Sequence, residues 1–540
     1  MGAKFLDAVD DVTADAEQSD WRGGFDEFAT PTKLAGNAGG RAVNVIVEDN
    51  GRPRNRPGAD ALGGAALSAG NRIEALSYFD TPSLEYIFAS LNASLRKWDG
   101  SNWATVGAYP FGVANIVAMA QGHGQLYCST GSGAWYSYDG AAWSAALGTG
   151  VNDPPVGTTI MVWHTALNRM FASGTIGGFY DVVQASLLDN ASAGAGKWNS
   201  TTWSVRVGRG EGEAIKAMCP AKGFWIAVGK EGSIYMIYAD PAATSASQWL
   251  IPRLSGSSGI VGRNAMTFWG DSLWVIGTDL ALREIVPTNA AVQAGDAPFQ
   301  LLPAASEPAK PYFDRINRAA QGKIALHGYG RYLLVGLPLD AATEPSHTAV
   351  WNLRLRVPSN VPGVSIPAFI GVWTGWTPTC FVTSRFSGVE RLIIGDSNGT
   401  VNEWKDGDDQ YDDDTFEDNG VPVLATMRGR SWNFGTDRNP KDAESAEALF
   451  TDSTAEVDIL AVMDGEEQTR WGVALEQVQN QLPLTLPFDL AQLGPVRVTR
   501  NADELIPFRE MYLEVQQRTP GRVELKSLAA AAFLNTSDNE

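Results

Sequence analysis

The chain is short of cysteine, histidine and positive charge, and each shortage removes a class of function. Three cysteines in 540 residues, Cys128, Cys219 and Cys380, stand far apart with no CxxC spacing. That count builds neither a disulfide framework nor a zinc site, and the expected role is as small buried side chains. Four histidines, His123, His164, His327 and His347, leave little material for a catalytic triad or a metal centre. Lys and Arg number 41 against 61 Asp and Glu, a net charge of −20. A duplex is gripped by neutralising its phosphates, so a sequence-reading nucleic-acid binder is not expected. A conduit past which DNA slides stays open, because weak adhesion helps sliding. The longest apolar runs fall short of the ~18 residues that a membrane-spanning helix needs. The opening residues "MGAKFLDAVDDVTADAEQ" have no apolar core behind a basic flank, and Leu6 stands where an N-myristoylation signal has Ser or Thr. A soluble chain made in a cytoplasm is expected.

What is abundant points to β structure. The chain has 57 Gly, 28 Pro and 18 Trp, and its apolar runs are short. "LEYIFAS" (84–90), "GQLYCST" (124–130), "GFWIAVG" (223–229), "SIYMIYA" (233–239), "DSLWVIG" (271–277), "RYLLVGL" (331–337) and "ERLIIGD" (390–396) are each bounded by Gly, Asp, Asn, Ser or Pro. Such runs read as strands between turns.

A small motif recurs among them. "KWDGSNW" places Trp98, Asp99, Gly100 and Trp103; "SYDGAAW" places Tyr138, Asp139, Gly140 and Trp143; "KWNSTTW" places Trp198, Asn199 and Trp203. The steps are 40 and 60 residues, with "SLLDNASAGAG" (186–196) reading as an insertion in the longer one. Weaker units follow at 215–249, 265–286, 324–353 and 381–407. About seven divergent units of this size are expected to be four-stranded blades, so 73–413 reads as a β-propeller. The Asp-Gly or Asn-Ser pair turns the chain between two outer strands, and the flanking aromatics pack across the hairpin. Hairpin packing is the ordinary reading of these residues, and stacking on a ligand is the alternative.

The two ends differ from the repeats. Residues 1–72 offer a short amphipathic helix (Phe5, Leu6, Val9, Val12), a Gly-rich arm, a strand "VNVIVED", and the extended basic segment "GRPRNRPG" with Arg52, Arg54 and Arg56. Residues 414–540 carry longer alternating strands and read as a β-sandwich or barrel. The expected architecture is all-β: a central propeller, and a platform that the C-terminal domain forms with the N-terminal arm.

Standard chemistry is missing. "SAGAGKW" has Ala191 and Trp198 where a phosphate loop needs Gly and Ser or Thr, and no GxSxG, HExxH or HxE…CxxC occurs. Glu85, Asp99 and Asp139 are candidates for a glycosidase pair, but Asp99 and Asp139 repeat, and a repeated position is structural. Eight acids crowd into 406–418, and the alternation of Asp406, Asp408, Asp412 and Asp414 is of a kind that collects Ca²⁺. The segment does not fit an EF-hand, and a solvated acidic linker is its ordinary reading. No enzyme activity and no cofactor are expected.

The order of elements resembles the tail nozzle (tail tubular, or head-to-tail hub) proteins of short-tailed bacteriophages. Gly51, Arg52, Arg56, Pro57 and Gly58 carry the likeness near the start; Gly395, Asp396, Gly399 and Val401 carry it in the middle, and Lys441 near the end. Uneven repeats and the lack of an insertion long enough for a fin domain are departures. The resemblance implies a non-catalytic virion protein, a homo-hexameric ring below the portal and its adaptor. It implies that the ring surrounds the DNA channel, retains packaged double-stranded DNA without reading its sequence, and anchors tail fibres, tailspikes or a needle. Arg52, Arg54 and Arg56 would then touch the adaptor or the DNA, the former being favoured. Two other readings stand beside it: a carbohydrate-binding or carbohydrate-cleaving propeller in host adhesion, and a cellular propeller scaffold.

Overall fold

Short apolar runs separated by left-handed turns fold here into antiparallel meanders. The structure is a computed structural model, and it describes residues 13–29, 34–106, 110–112, 115–148, 150–187, 197–288, 299–404, 416–434, 441–451, 453–474, 496–501 and 507–534. The helix expected near Phe5 and Val12 lies outside the described residues. Two-residue turns set the register. Asn92–Ala93, His123–Gly124 and Gly270–Asp271 all have positive φ, which matches the twist of the strands they join.

Seven such meanders follow one another. Blade one comprises Ala75–Thr81, Leu84–Leu91, Ser94–Trp98 and Trp103–Thr105. Blade two has Ala118–Gly122, Gln125–Ser129 and Tyr136–Tyr138, with a Tyr138–Trp143 bridge at its outer edge. Blade three is Thr158–His164, Arg169–Ile176, Phe179–Ala185 and Ser204–Arg206. Blade four is Ile215–Pro220, Trp225–Lys230, Ile234–Tyr238 and Arg253–Ser255. Blade five is Met266–Trp269, Ser272–Ile276, Leu282–Pro287 and Phe299–Ala304. Blade six is Ala325–Tyr329, Tyr332–Leu337, His347–Pro358 and Ser365–Trp373. Blade seven is Pro378–Ser384, Arg391–Asp396 and Val401–Trp404, completed by Ala59–Ala61 from the N-terminal arm.

The first strand of each blade lies against the first strand of the next, and that of blade seven against that of blade one. The sheets therefore close into a seven-bladed β-propeller. Middle strands such as Ser272–Ile276 and Tyr332–Leu337 are buried along their whole length, because a blade packs a neighbour on each face. That is why they read as unbroken apolar runs rather than alternating ones.

The platform is a β-sandwich. One sheet runs Val45–Val47, Pro53–Asn55, Glu524–Leu534, Lys441–Thr451, Val496–Asn501, with Thr13–Gln18 beside Glu524–Leu534. The other continues directly from blade six: Ser365–Trp373, Arg41–Val43, Thr426–Arg428, Met511–Gln517, Glu456–Met463, Glu466–Ala474. Residues 445–450 alternate half-buried and buried, as expected for a strand with one solvent-facing side. One core of Trp21, Val45, Phe450, Ile459, Leu513 and Leu528 joins the two sheets.

Two expectations about the arm are corrected. "VNVIVED" is not one strand: Asn44, at φ 55°, breaks it, sending Arg41–Val43 to one sheet and Val45–Val47 to the other. The arm also does not serve the platform alone, since Ala59–Ala61 closes the propeller.

Candidate functional site

The basic segment lies where arm, platform and blade seven meet. Two prolines keep it extended, so its arginines fan out toward different elements. Arg52 Nη1 meets Glu524 Oε1 at 3.2 Å, and Arg54 Nε meets Glu48 Oε1 at 2.6 Å. Arg56 is fully buried. It donates to both carboxylate oxygens of Asp418, to Asn44 Oδ1 (3.2 Å), and to the carbonyls of Pro57 (2.9 Å) and Thr374 (2.6 Å). All five of its N–H donors are thus committed, and its Cζ lies 4.4 Å from the centre of the Trp376 ring. Asp418 also accepts from the Ala59 amide (2.9 Å) and from Trp376 Nε1 (3.1 Å). Arg56 therefore cannot touch DNA or a partner. That expectation is corrected, because burial in a polar pocket, not exposure, is what its charge serves. Arg52 and Arg54 are likewise held by carboxylates of their own chain.

A second carboxylate belongs to this junction. Asp396 ends the second strand of blade seven and is 3% exposed. It accepts from the Thr377 amide (3.1 Å) and from Asn402 Nδ2 (2.7 Å). Asn402 Oδ1 accepts from Asn419 Nδ2 (3.0 Å), whose Oδ1 accepts from the Ala61 amide (2.6 Å). A polar relay thus runs from blade seven into the strand that closes the ring. Burial, with the negative charge of Asp418 adding to it, pushes the Asp396 carboxyl up to about 7. Asp406, Asp408, Asp412 and Asp414 lie outside the described residues. Among the described residues no group of three or more His, Cys, Asp and Glu gathers as for a metal.

The repeated turns divide into two kinds. Asp99 Oδ1 accepts from the amides of Ser101 and Asn102, and Asp139 Oδ1 from those of Ala141 and Ala142. The flanking rings pair across each hairpin: Trp98–Trp103 at 5.6 Å and Tyr138–Trp143 at 5.3 Å between centres. Gly100 and Gly140 have φ of 98° and 97°, the region glycine favours. Asn199 caps its turn in the same way, at Thr201 and Thr202, but its aromatics part. Trp198 packs on Trp135 of blade two, while Trp203 lies under the Arg169 guanidinium and beside Trp249 of blade four.

The propeller axis holds a cavity of about 250 Å³, lined by Leu76, Met119, Met161, Met218, Met266 and Phe381, with His327 on the blade-six strand. His327 bonds Thr383 Oγ1 (2.9 Å), and burial pushes its pKa down to about 4. Burial likewise raises all three thiols. A wider mouth of about 460 Å³ opens beyond Arg263. Sequence reasoning passed over Arg263, Asp418 and Trp376. Arg263 sits in "SGIVGRNAM", which carries no motif, and only the closed ring brings it to the axis.

No protein-family model matches the chain, and no curated protein does. Solved structures resemble it distantly. The extracellular domain of the one-component system BT4673 from B. thetaiotaomicron has 13% identity and a TM-score of 0.37; the match covers 64% of this chain and 39% of that one. The chain thus spans about two fifths of that protein's length. YCF48 bound to D1 peptide has 10% identity and a TM-score of 0.38 over 65% and 94% of the two chains. BBS1N in complex with ARL6DN has 13% identity and a TM-score of 0.40 over 64% and 96%. Likeness at this level carries no argument about function, and the propeller rests on the strand pairing and ring order above.

Proposed function

We propose that this chain is a non-catalytic structural subunit of the tail nozzle of a short-tailed phage. Six copies would form a ring below the portal and adaptor, around the DNA path, with tail fibres or spikes docked outside. The observation that supports it most is the continuous sheet from blade six into the platform, built from both ends of the chain. Such a sheet makes propeller and platform one stiff body, which suits a part that must hold pressure and not a lid that must open. The cavity on the chain's own axis, about 250 Å³, has room for only about eight waters, so DNA would pass between copies, along surfaces whose net charge of −20 limits adhesion.

Electron microscopy of the purified protein, and of tails that contain it, tests the reading. Sixfold rings with an open centre are the expected outcome, and a strictly monomeric species in virion-derived material would sink it. A sugar-binding propeller has one observation in its favour: Phe179 and Tyr180, 47% and 59% exposed at a hairpin tip of blade three. Retention of the protein on bacterial surface polysaccharide, lost in Tyr180→Ala, would favour that reading instead.

A further inference from the structure

The mouth of the axial cavity holds a positive charge that neither reading uses. Arg263 lies in the loop entering blade five and reaches across the axis. Its Nη2 donates to the Glu74 carbonyl (3.3 Å), just ahead of blade one, and its Nη1 to the Val117 carbonyl, just ahead of blade two. A guanidinium has five N–H donors, so three are left over. Arg72, Lys216 and Lys323 line the same mouth. Each of these has a carboxylate: Arg72 has Glu344 at 3.2 Å and Glu74 at 3.9 Å, Lys323 shares Glu344, and Lys216 has Glu231 at 3.3 Å. Four cations thus share three carboxylates. Arg263 is the unmatched one, with no carboxylate among the described residues within ion-pair reach.

A half-buried guanidinium without an ion-pair contact is costly, and burial lowers its pKa although the Glu74 charge nearby acts the other way. The cavity beside it, about 460 Å³, has room for a tetrahedral anion with several waters, each water filling ~30 Å³. Guanidinium recognises planar and tetrahedral oxyanions through paired N–H donors. We propose that the mouth binds a small oxyanion, a phosphate or a carboxylate, on Arg263, with Lys216 and Lys323 at the rim. The site depends on this chain alone and stands or falls independently of the nozzle reading.

Titration calorimetry of the full-length protein with inorganic phosphate at low ionic strength reads the site directly. A second arm with acetate separates a phosphate site from a carboxylate site, and saturable binding of either anion supports the proposal. One event per chain is expected, weakened about tenfold or more by Arg263→Gln and less by Lys216→Gln. Lys310→Gln, at a half-exposed position paired with Asp314 and not lining the mouth, is expected to leave anion binding unchanged. If Arg263→Gln does not fold, Lys323→Gln and Lys216→Gln together carry the test. No saturation with either anion up to about 10 mM, or undiminished affinity in the mouth variants, overturns the proposal.

Discussion

Asp396→Asn separates a buried carboxyl from everything else that titrates. The folded pKa is about 7 against an ordinary 3.8. Between those values the folded state holds a proton that the unfolded state has released. Stability therefore falls as pH rises through this window, by at most about 1.4 kcal/mol per pH unit, and levels off above it. The accumulated loss at pH 8.5 is about 4 kcal/mol. Asparagine carries no such penalty. Its oxygen still accepts from the Thr377 amide, but Asn402 must turn its own amide to accept the new N–H, which also unsettles its bond with Asn419. That rearrangement costs about 1 kcal/mol. Urea midpoints followed by tryptophan fluorescence should therefore cross. The variant is less stable by about 1 kcal/mol at pH 3, matches the parent at about pH 4.5, and is more stable by about 3 kcal/mol at pH 8.5. Two parallel pH profiles would refute the reasoning, since every other titrating group is common to both chains.

The fully buried and the half-buried arginine of the same segment should differ in cost. Arg56→Met leaves Asp418 buried without its partner and is expected to cost about 3–5 kcal/mol, whereas Arg52→Ala should cost less than about 1 kcal/mol because Glu524 keeps Arg522 (2.7 Å) and Thr451 (3.0 Å); equal shifts in urea midpoint would contradict the burial argument. His327, with a folded pKa near about 4, should stay neutral on acidification, so its ring signals in NMR should hold still between about pH 8 and pH 5.5. Below its ordinary pKa of 6.5 it opposes folding, because the unfolded chain takes up the proton first.

Local patterns in the sequence carried the blades, and long-range closure did not. Runs such as "DSLWVIG" announce themselves because a strand buried on both faces must be apolar throughout, and Asp99 and Asp139 announce their hairpins because a short acceptor side chain can cap the next two amides. The strand Ala59–Ala61 is invisible by the same logic. It is three residues of "ADA", and it is a strand only because Asn402–Trp404, more than three hundred residues away, lies beside it. Arg56 misled for a related reason. A basic run beside prolines looks solvated until the fold supplies Asp418 and Trp376 from more than three hundred residues away and turns Asn44, twelve residues upstream, back onto it. Trp198 shows the limit of a repeat: the motif was kept, but its ring packs on Trp135 of the neighbouring blade instead of across its own hairpin.

The closed axis bears on how a nozzle built from this chain would have to work. The cavity holds about eight waters' volume, at ~30 Å³ each, and the Arg263 crossbar ties blade five to the entries of blades one and two. Opening it for DNA would mean breaking the ring that Ala59–Ala61 closes, together with the buried Arg56–Asp418 pair beside that strand. Each propeller must then act as a solid block, and any channel must be a property of the assembly. Its bore would be set by how the platforms abut, so substitutions at platform edges should alter DNA retention, whereas Arg263 substitutions should leave retention alone and change only anion binding.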